Sequence, residues 1–514
     1  MPLKSKENVR ELLQKRARMT PDKTFLFSEV DGREWTYAEF DRAVNRTANM
    51  LRAHGISKGD VVSLLLPNSP EYIVAYFACW KIGALAGPVN SLLKNEEIDW
   101  VVENSEAKLM LVAPEFLEVL GSQPARSYCC SRLVFDDVAI VDDLPDELDS
   151  VELSSDDDAI IIYTSGTTGK PKGCLLTHGN LIANARQIAE WMNFGPDDRL
   201  LTVMPLFHMN AVSVTTMTAL YAGGSTVVSP KFSASRFWDI IEKYRITSFG
   251  SVATMLSMLL SNQRSAISDQ PENPGSKNQD RKCESLRFAM CGSAPVPVEV
   301  LKKFEETFGV LVIEGYGLSE STCRSTFNPP NESRRPGSCG KPIGNEIKVF
   351  NENDEEVPDG ELGEIVLRGP NIFKGYFKNP EATAKAFASG WFHTGDIGYK
   401  DPDGFFYIAD RKSDMIIRGG ENIYPREIDD LLYTHPAVAH AAVIGVPDEV
   451  YGEEVAAFVV LKDGESVSGE DLMAFCREHL ADFKCPKTVH FVDDIPKGPT
   501  GKLLKRELAK LVPE

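Results

Sequence analysis

The stretch IIIYTSGTTGKPKG, residues 160 to 173, decides how this 514-residue chain is read. An apolar run with the texture of a buried strand ends in Thr164, Ser165, Gly166, Thr167, Thr168, Gly169, Lys170, Pro171, Lys172 and Gly173. Three glycines, four hydroxyls and two lysines therefore crowd one turn. Glycine lets backbone N–H groups come close to an anion, hydroxyls add donors and lysine adds charge, so a polyphosphate is the natural ligand. A plain hairpin uses the same residue types. The nucleotide-binding P-loop does not fit: GxxxxGK[ST] needs four residues between its glycines and a hydroxyl after its lysine, whereas the order here is Gly-Thr-Thr-Gly-Lys-Pro. Pro171 also denies the loop a helix start with free N–H groups. CLLTH (174–178) continues as strand before the helical pattern of GNLIANARQIAEWM.

Outward from this loop, strand and helix patterns alternate. VVSLLLP (61–67) is followed by helical EYIVAYFACWKIGA (71–84) and the short apolar run KLMLVA (108–113), and STVVSP (225–230) precedes SASRFWDIIEKYR (233–245). That alternation predicts an α/β fold. Residues 261 to 285, SNQRSAISDQPENPGSKNQDRKCES, are polar with almost no aliphatic side chains and read as a surface loop. After residue 340, short alternating runs broken by Gly, Asn and Asp predict a small antiparallel β unit. Beyond Arg411 come helix candidates REIDDLLYTHP and GEDLMAFCREHL and strand candidates HAAVIGV and EVAAFVVL, enough for a separate small domain.

Composition narrows the function. Lys plus Arg number 55 against 75 Asp plus Glu, a net charge of −20, which opposes a general nucleic-acid or anionic-membrane binder. The ten cysteines show neither CxxC pairs nor ordered spacing, so neither a zinc site nor a disulfide framework is signalled. The charged start has no apolar leader, no uninterrupted apolar run approaches the length of a membrane span, and the closing LVPE matches no address signal. These features predict a reduced, cytoplasmic, soluble protein.

YTSGTTGKPKG resembles the phosphate-loop signature of the adenylate-forming, AMP-binding superfamily, which includes acyl-CoA synthetases, peptide-synthetase adenylation domains and beetle luciferases. Further matches follow in family order: CGSAP (291–295), EGYGLSE (314–320), GWFHTGD (390–396), DRKSDMIIRGGENIYPREID (410–429) and PKGPTGK (496–502). The resemblance covers essentially the whole chain. It implies a large multi-sheet α/β domain with a β-barrel-like subunit over residues 1–412, and a small mobile α+β domain over 413–514. It also implies a reaction: a carboxylate and ATP give an acyl-adenylate and pyrophosphate, and the acyl group then passes to a thiol.

Each motif has a physical task in that scheme. The resemblance assigns the phosphates to the loop from Thr164 to Gly169 and to Lys172, and the adenine to Gly292, Ser293, Ala294 and Pro295 with Tyr316 and Gly317, an aromatic face suiting a purine. Glu320 is implied as the Mg²⁺ ligand with Thr164 nearby, because a hard cation wants oxygen; Ser319 stands where the family more often has Thr, and the hydroxyl survives. Asp396, acceptor-only, suits the ribose hydroxyls, and Arg411 the nucleotide beside them. Lys502 matches the catalytic lysine, whose ammonium stabilises charge building on the α-phosphate. His208, Asn210 and Gly315 are implied to line the acyl pocket. Gly419, Gly420 and Glu421 are implied to line the tunnel for the coenzyme A arm, where no side chain should intrude. Ser413 takes the hinge position, where relatives more often carry Asp or Lys.

Retained Thr164, Glu320, Asp396, Arg411 and Lys502 oppose a non-catalytic relative. No phosphopantetheine-serine segment follows Lys502 in the remaining twelve residues, so a stand-alone acyl-CoA ligase is favoured, with loading of a separate carrier protein as the alternative. The stretch Phe207 to Ser213 carries no carboxylate to hold an α-ammonium, which disfavours a free amino acid. Residues 201–224 and 232–245 look closest to carnitine and crotonobetaine-type ligases and their fatty-acid neighbours, but Asn210 is neither an aromatic cage nor a carboxylate for a quaternary ammonium. A neutral aliphatic or aromatic acid is therefore expected. Pro496 to Lys502 also resembles the site that lysine acetyltransferases modify in bacterial CoA ligases, which predicts control by acetylation and deacetylation of Lys502.

Overall fold

The structure is a computed structural model that describes residues 7–120, 130–164, 171–268, 284–292, 296–497 and 504–511. Its larger part is built on two mostly parallel sheets. The nine-stranded sheet has a parallel centre (Leu311–Tyr316, Phe288–Cys291, Ser248–Ser251, Arg199–Thr202, Ser225–Val228 and Thr24–Ser28) with short antiparallel strands at both edges. In the seven-stranded sheet, Asp158–Thr164, Leu85–Pro88, Val61–Leu65, Leu109–Val112 and Ser131–Val134 run parallel, and Lys172–Thr177 and Gly375–Tyr376 add antiparallel strands at one edge.

Helix Pro70–Ile82 belongs to the core that these sheets share, and its sequence explains why. Ser69 caps it by accepting the Tyr72 N–H at 3.2 Å, Pro70 occupies the first turn, and Gly83 at φ +76° ends it. All 13 of its residues are buried, so no polar face is left to solvent. Tyr72 stacks on Tyr76 with centroids 5.2 Å apart, and Trp80 donates its indole N–H to the Ala159 carbonyl at 2.9 Å. Even its cation is satisfied: Lys81, 1 % exposed, contacts Asp41 at 2.5 Å and Asn45 at 2.6 Å. Lys81→Met would leave Asp41 as a carboxylate without its partner.

The antiparallel unit expected after residue 340 is a four-stranded sheet, Glu346–Phe350, Gly363–Arg368, Phe392–Lys400 and Phe406–Arg411 in that order. From Ile416 onward a second hydrophobic core gathers Ile416, Ile423, Ile428, Leu432, Val443, Val455, Val459 and Leu472. It lies between helices Pro425–Thr434 and Gly469–His479 and a sheet whose long pair is Val438–Asp448 with Gly452–Leu461. Each fully buried aliphatic side chain there is worth about 1.5–3 kcal/mol. Among the described residues, no helix is long and apolar enough to cross a membrane.

One expectation fails. Residues 261–268 are not loop but the last turns of helix Ala253–Ser268. Ser and Asn lower helix propensity only modestly, and a helix nucleated by the buried Leu256 and Leu259 carries a polar last turn at little cost. Residues 269–283 lie outside the described segments.

Candidate active site

The carboxyl ends of the parallel strands Phe288–Cys291 and Leu311–Tyr316 open onto a cavity of about 510 Å³. This is where crossover sheets place ligands, because the connecting segments leave a crevice there. Gly292, Gly315, Tyr316 and Gly317 form one wall; Asp396 and Arg411, from the four-stranded sheet, form another. Asp396 and Arg411 are direct cross-strand partners, so the β pairing itself aligns them. Arg411 Nε lies 3.0 Å from Asp396 Oδ1, and the Tyr316 hydroxyl donates to Asp396 Oδ2 at 2.6 Å. The carboxylate raises the Arg411 pKa, and burial, then Asp396, pushes the Tyr316 phenol well above its usual range. Arg411 stays charged and Tyr316 stays a donor. A carboxylate only accepts and has about four acceptor sites, which is the chemistry that suits donation from hydroxyls.

Glu320 sits in the short 3₁₀ turn Ser319–Ser321 that follows Tyr316 and Gly317. Its carboxylate accepts the Tyr376 hydroxyl at 3.0 Å, and its backbone carbonyl accepts the Phe373 N–H at 2.7 Å. Thr164 ends its strand across from Lys172; its Oγ1 lies 3.9 Å from Cys174 Sγ, and Lys172 Nζ is 5.2 Å from the Tyr376 ring centroid. Burial and then Glu320 push the Cys174 thiol well above its usual range, so it is a neutral packing group. Two residues past Glu320, buried Thr322 holds φ +65°, a left-handed conformation that a β-branched side chain adopts only under constraint. The constraint is visible: Thr322 Oγ1 donates to the Asn371 carbonyl at 2.7 Å, and Asn371 Nδ2 donates to the carbonyls of Ser321 at 3.1 Å and Arg324 at 3.2 Å.

In the expected acyl region, Asn210 opens a π-helix, Asn210–Met217, a form concentrated at functional sites. Neither polar atom of the buried Asn210 side chain has a partner among the described residues, and the same holds for His208 Nε2. Burial lowers the His208 pKa to about 4, so the ring is neutral. Gly315 has no room for a side chain: a Cβ there would lie 2.4 Å from the Phe327 ring.

The Gly419-Gly420 pair has a local explanation. Strands Ile416–Arg418 and Glu421–Ile423 pair with Arg418 opposite Glu421, so the two glycines are the turn of a tight hairpin, at φ +59° and +92°. Such turns need left-handed backbone at both positions. The two glycines and the exposed Glu421 do not line the cavity. Ser413 is exposed in the turn after Arg411 and donates to Asp414 Oδ1 at 2.9 Å. Ser165, Gly166, Thr167, Thr168 and Gly169, Ser293, Ala294 and Pro295, and Lys502 lie outside the described residues.

Several residues at the site escaped sequence reading: Tyr376, Cys174, Asn371, Arg324 and Glu314. Glu314 lines the cavity and accepts the Gly337 N–H at 3.0 Å, and burial pushes its carboxyl up to about 8. Its place just before the Gly-Tyr-Gly run was the one available signal.

Residues 13–377 match the family model described as AMP-binding enzyme, and residues 427–502 that of the AMP-binding enzyme C-terminal domain. A feruloyl-CoA synthase of an Amycolatopsis species is 37% identical over 498 residues, 96% of this chain and 97% of its own. A crotonobetaine/carnitine–CoA ligase of Citrobacter koseri is 36% identical over 525 residues, 98% of this chain and 99% of its own. Among solved structures, ATP-bound MatB from Rhodopseudomonas palustris superposes with a TM-score of 0.90 at 30% identity, covering 98% of this chain and 99% of that one.

Proposed function

The chain belongs to the AMP-binding enzyme family, and from that premise we propose how its own residues divide the work. It is an ATP-dependent carboxylate–CoA ligase of the acyl-CoA synthetase kind, taking ATP, a carboxylic acid and coenzyme A. The observation that best supports the assignment of residues is the Tyr316–Asp396–Arg411 constellation at the carboxyl ends of the parallel strands. We assign the adenine to Tyr316 with Gly292 and Gly317, and the ribose hydroxyls to Asp396, held in place by Arg411.

The phosphates fall to the loop after Thr164 and to Lys172. Glu320 and Thr164 supply the oxygen donors that suit Mg²⁺, with Tyr376 holding one Glu320 oxygen; bound there, the ion would neutralise phosphate charge. We assign Lys502 to stabilising negative charge on the α-phosphate during adenylation. The division between the units is drawn at 412/413, in the turn that holds Ser413, so that residues 413–514 swing as a body. The Gly419–Glu421 hairpin then approaches the acyl-adenylate for the thiol step. The remaining finer readings are Lys502 as a target for acetylation, which would remove its charge, and a cytoplasmic setting, in keeping with eight free cysteines among the described residues.

Pyrophosphate and AMP release over a panel of carboxylates, with and without coenzyme A, tests the reading. Acid-dependent pyrophosphate release, with thioester formed only when coenzyme A is present, is expected. Adenylate accumulating unchanged in the presence of coenzyme A would favour a carrier-protein acceptor instead.

A further inference from the structure

The main chain of Arg324 is clamped while its side chain is left without a counter-charge. Asn184 donates to the Arg324 carbonyl at 2.7 Å and accepts its N–H at 3.3 Å, Asn371 donates to the same carbonyl, and the Ser213 hydroxyl in turn fixes Asn184 at 2.9 Å. The guanidinium this clamp carries is 1% exposed. Among the described residues its Nε and Nη2 have no hydrogen-bond partner, its Nη1 reaches only the neighbouring Cys323 carbonyl at 3.4 Å, and no carboxylate forms an ion pair with it. The Phe327 ring, 5.5 Å away, offsets only part of what burying that charge costs. An arginine stays charged in such a setting and retains open donors for an anion.

The location says which anion. A Cβ on Gly292 would lie 2.7 Å from Arg324 Nη2, and a Cβ on Gly250 would lie 2.5 Å from Asn210 Oδ1. Gly250 pairs in register with Met290, two residues before Gly292, so both virtual side chains point to the same face of the sheet. One strand across and two residues along separate the two glycines by roughly 8 Å. Arg324 and Asn210, both buried and with open hydrogen-bonding atoms among the described residues, therefore approach one face of the sheet at Gly292 and Gly250, and Gly292 itself lines the cavity. The neighbouring thiol of Cys291 is held neutral by burial and offers no competing charge.

We propose that Arg324, with Asn210, binds a second anionic group on the acid being activated, so that the substrate is a dicarboxylic acid. One carboxylate is adenylated while the other pairs with the guanidinium; this rests on the carboxylate–CoA ligase reading above. A quaternary-ammonium acid is rejected by the same charge. The guanidinium forks toward a carboxylate in a way that an ammonium does not, so Lys at this position keeps the charge but loses the paired geometry.

The test is CoA-dependent AMP release for malonic to adipic acid, each against the monocarboxylic acid of equal length and the half-amide. The wild-type enzyme should favour its best dicarboxylate over the matched monocarboxylate by about 10²-fold or more in kcat/KM, because the unmatched acid strands a buried charge. Arg324→Met should erase or invert that preference while AMP binding persists, and Arg324→Lys should fall between. Should Arg324→Met fail to bind AMP, the half-amide comparison decides on wild-type protein alone. A wild-type enzyme that turns over monocarboxylates equally well, or an Arg324→Met that depresses both series alike, overturns this inference and leaves the ligase reading standing. No CoA-dependent AMP release with any acid overturns both.

Discussion

Replacing Asp396 by Asn changes one oxygen and one charge at the point where three side chains meet. Asp396 accepts from the Tyr316 hydroxyl at 2.6 Å and from Arg411 Nε at 3.0 Å, and its side chain is only 5% exposed. An asparagine can keep its oxygen on Arg411 Nε and turn its NH₂ to the Tyr316 hydroxyl, which can accept, so the chief loss is the negative charge facing Arg411. Each hydrogen bond to a charged group contributes about 1.5–3 kcal/mol. Arg411, with 37% of its side chain exposed, regains water, so the stability lost should be about 2 kcal/mol rather than the larger penalty for a sealed pair. The ligand loses more specifically: ribose hydroxyls meet a neutral acceptor with half its capacity, and AMP affinity should fall about 10- to 100-fold. Titration calorimetry with AMP and urea denaturation separate the two effects. Unchanged AMP affinity alongside reduced stability would refute the ribose role and leave Asp396 as a structural counter-charge to Arg411.

Lys502→Ala should abolish adenylation while thioester formation from supplied acyl-adenylate survives; equal loss in both half-reactions removes the assigned role. The Gly420 hairpin at φ +92° strains any leucine regardless of a thiol tunnel, so Gly420→Leu must be paired with Gly420→Asn, which tolerates that backbone. Only an effect of leucine on the thiol step well beyond that of asparagine, with pyrophosphate exchange intact, supports the tunnel. Burial lowers both His178 and His208 to about 4, so unfolding takes up protons below the ordinary 6.5, and the stability of the neutral rings is lost as pH falls from 6.5 toward 4. That is about 2 kcal/mol per ring by pH 5. Urea unfolding at pH 7 and 5 should show a smaller drop for a His178→Gln/His208→Gln protein, and equal drops would contradict the assignment.

What the sequence alone determined was whatever contiguous residues carry. The apolar strand that ends at Thr164, the Gly-Tyr-Gly run before Glu320, and the Asp396 and Arg411 motifs each lie within one strand and its exit, where local spacing dictates geometry. The α/β alternation and the second core after Ile416 were legible for the same reason, since a periodic apolar face specifies its element. Composition misled at 261–268, because polarity alone does not tell the end of a helix from a loop. Tertiary structure decided what depends on segments meeting. Tyr376 reaches Glu320 from 56 positions away, Asn371 clamps the strained turn at Thr322, and the Gly419-Gly420 pair proves to be a hairpin turn. Arg324 was unremarked as one charged residue in a polar string, and only the packing of three strand ends around it made it a buried cation with no carboxylate paired to it among the described residues. Nothing local encodes burial: desolvation depends on what the rest of the chain places overhead, and desolvation is what turns an ordinary side chain into a binding group.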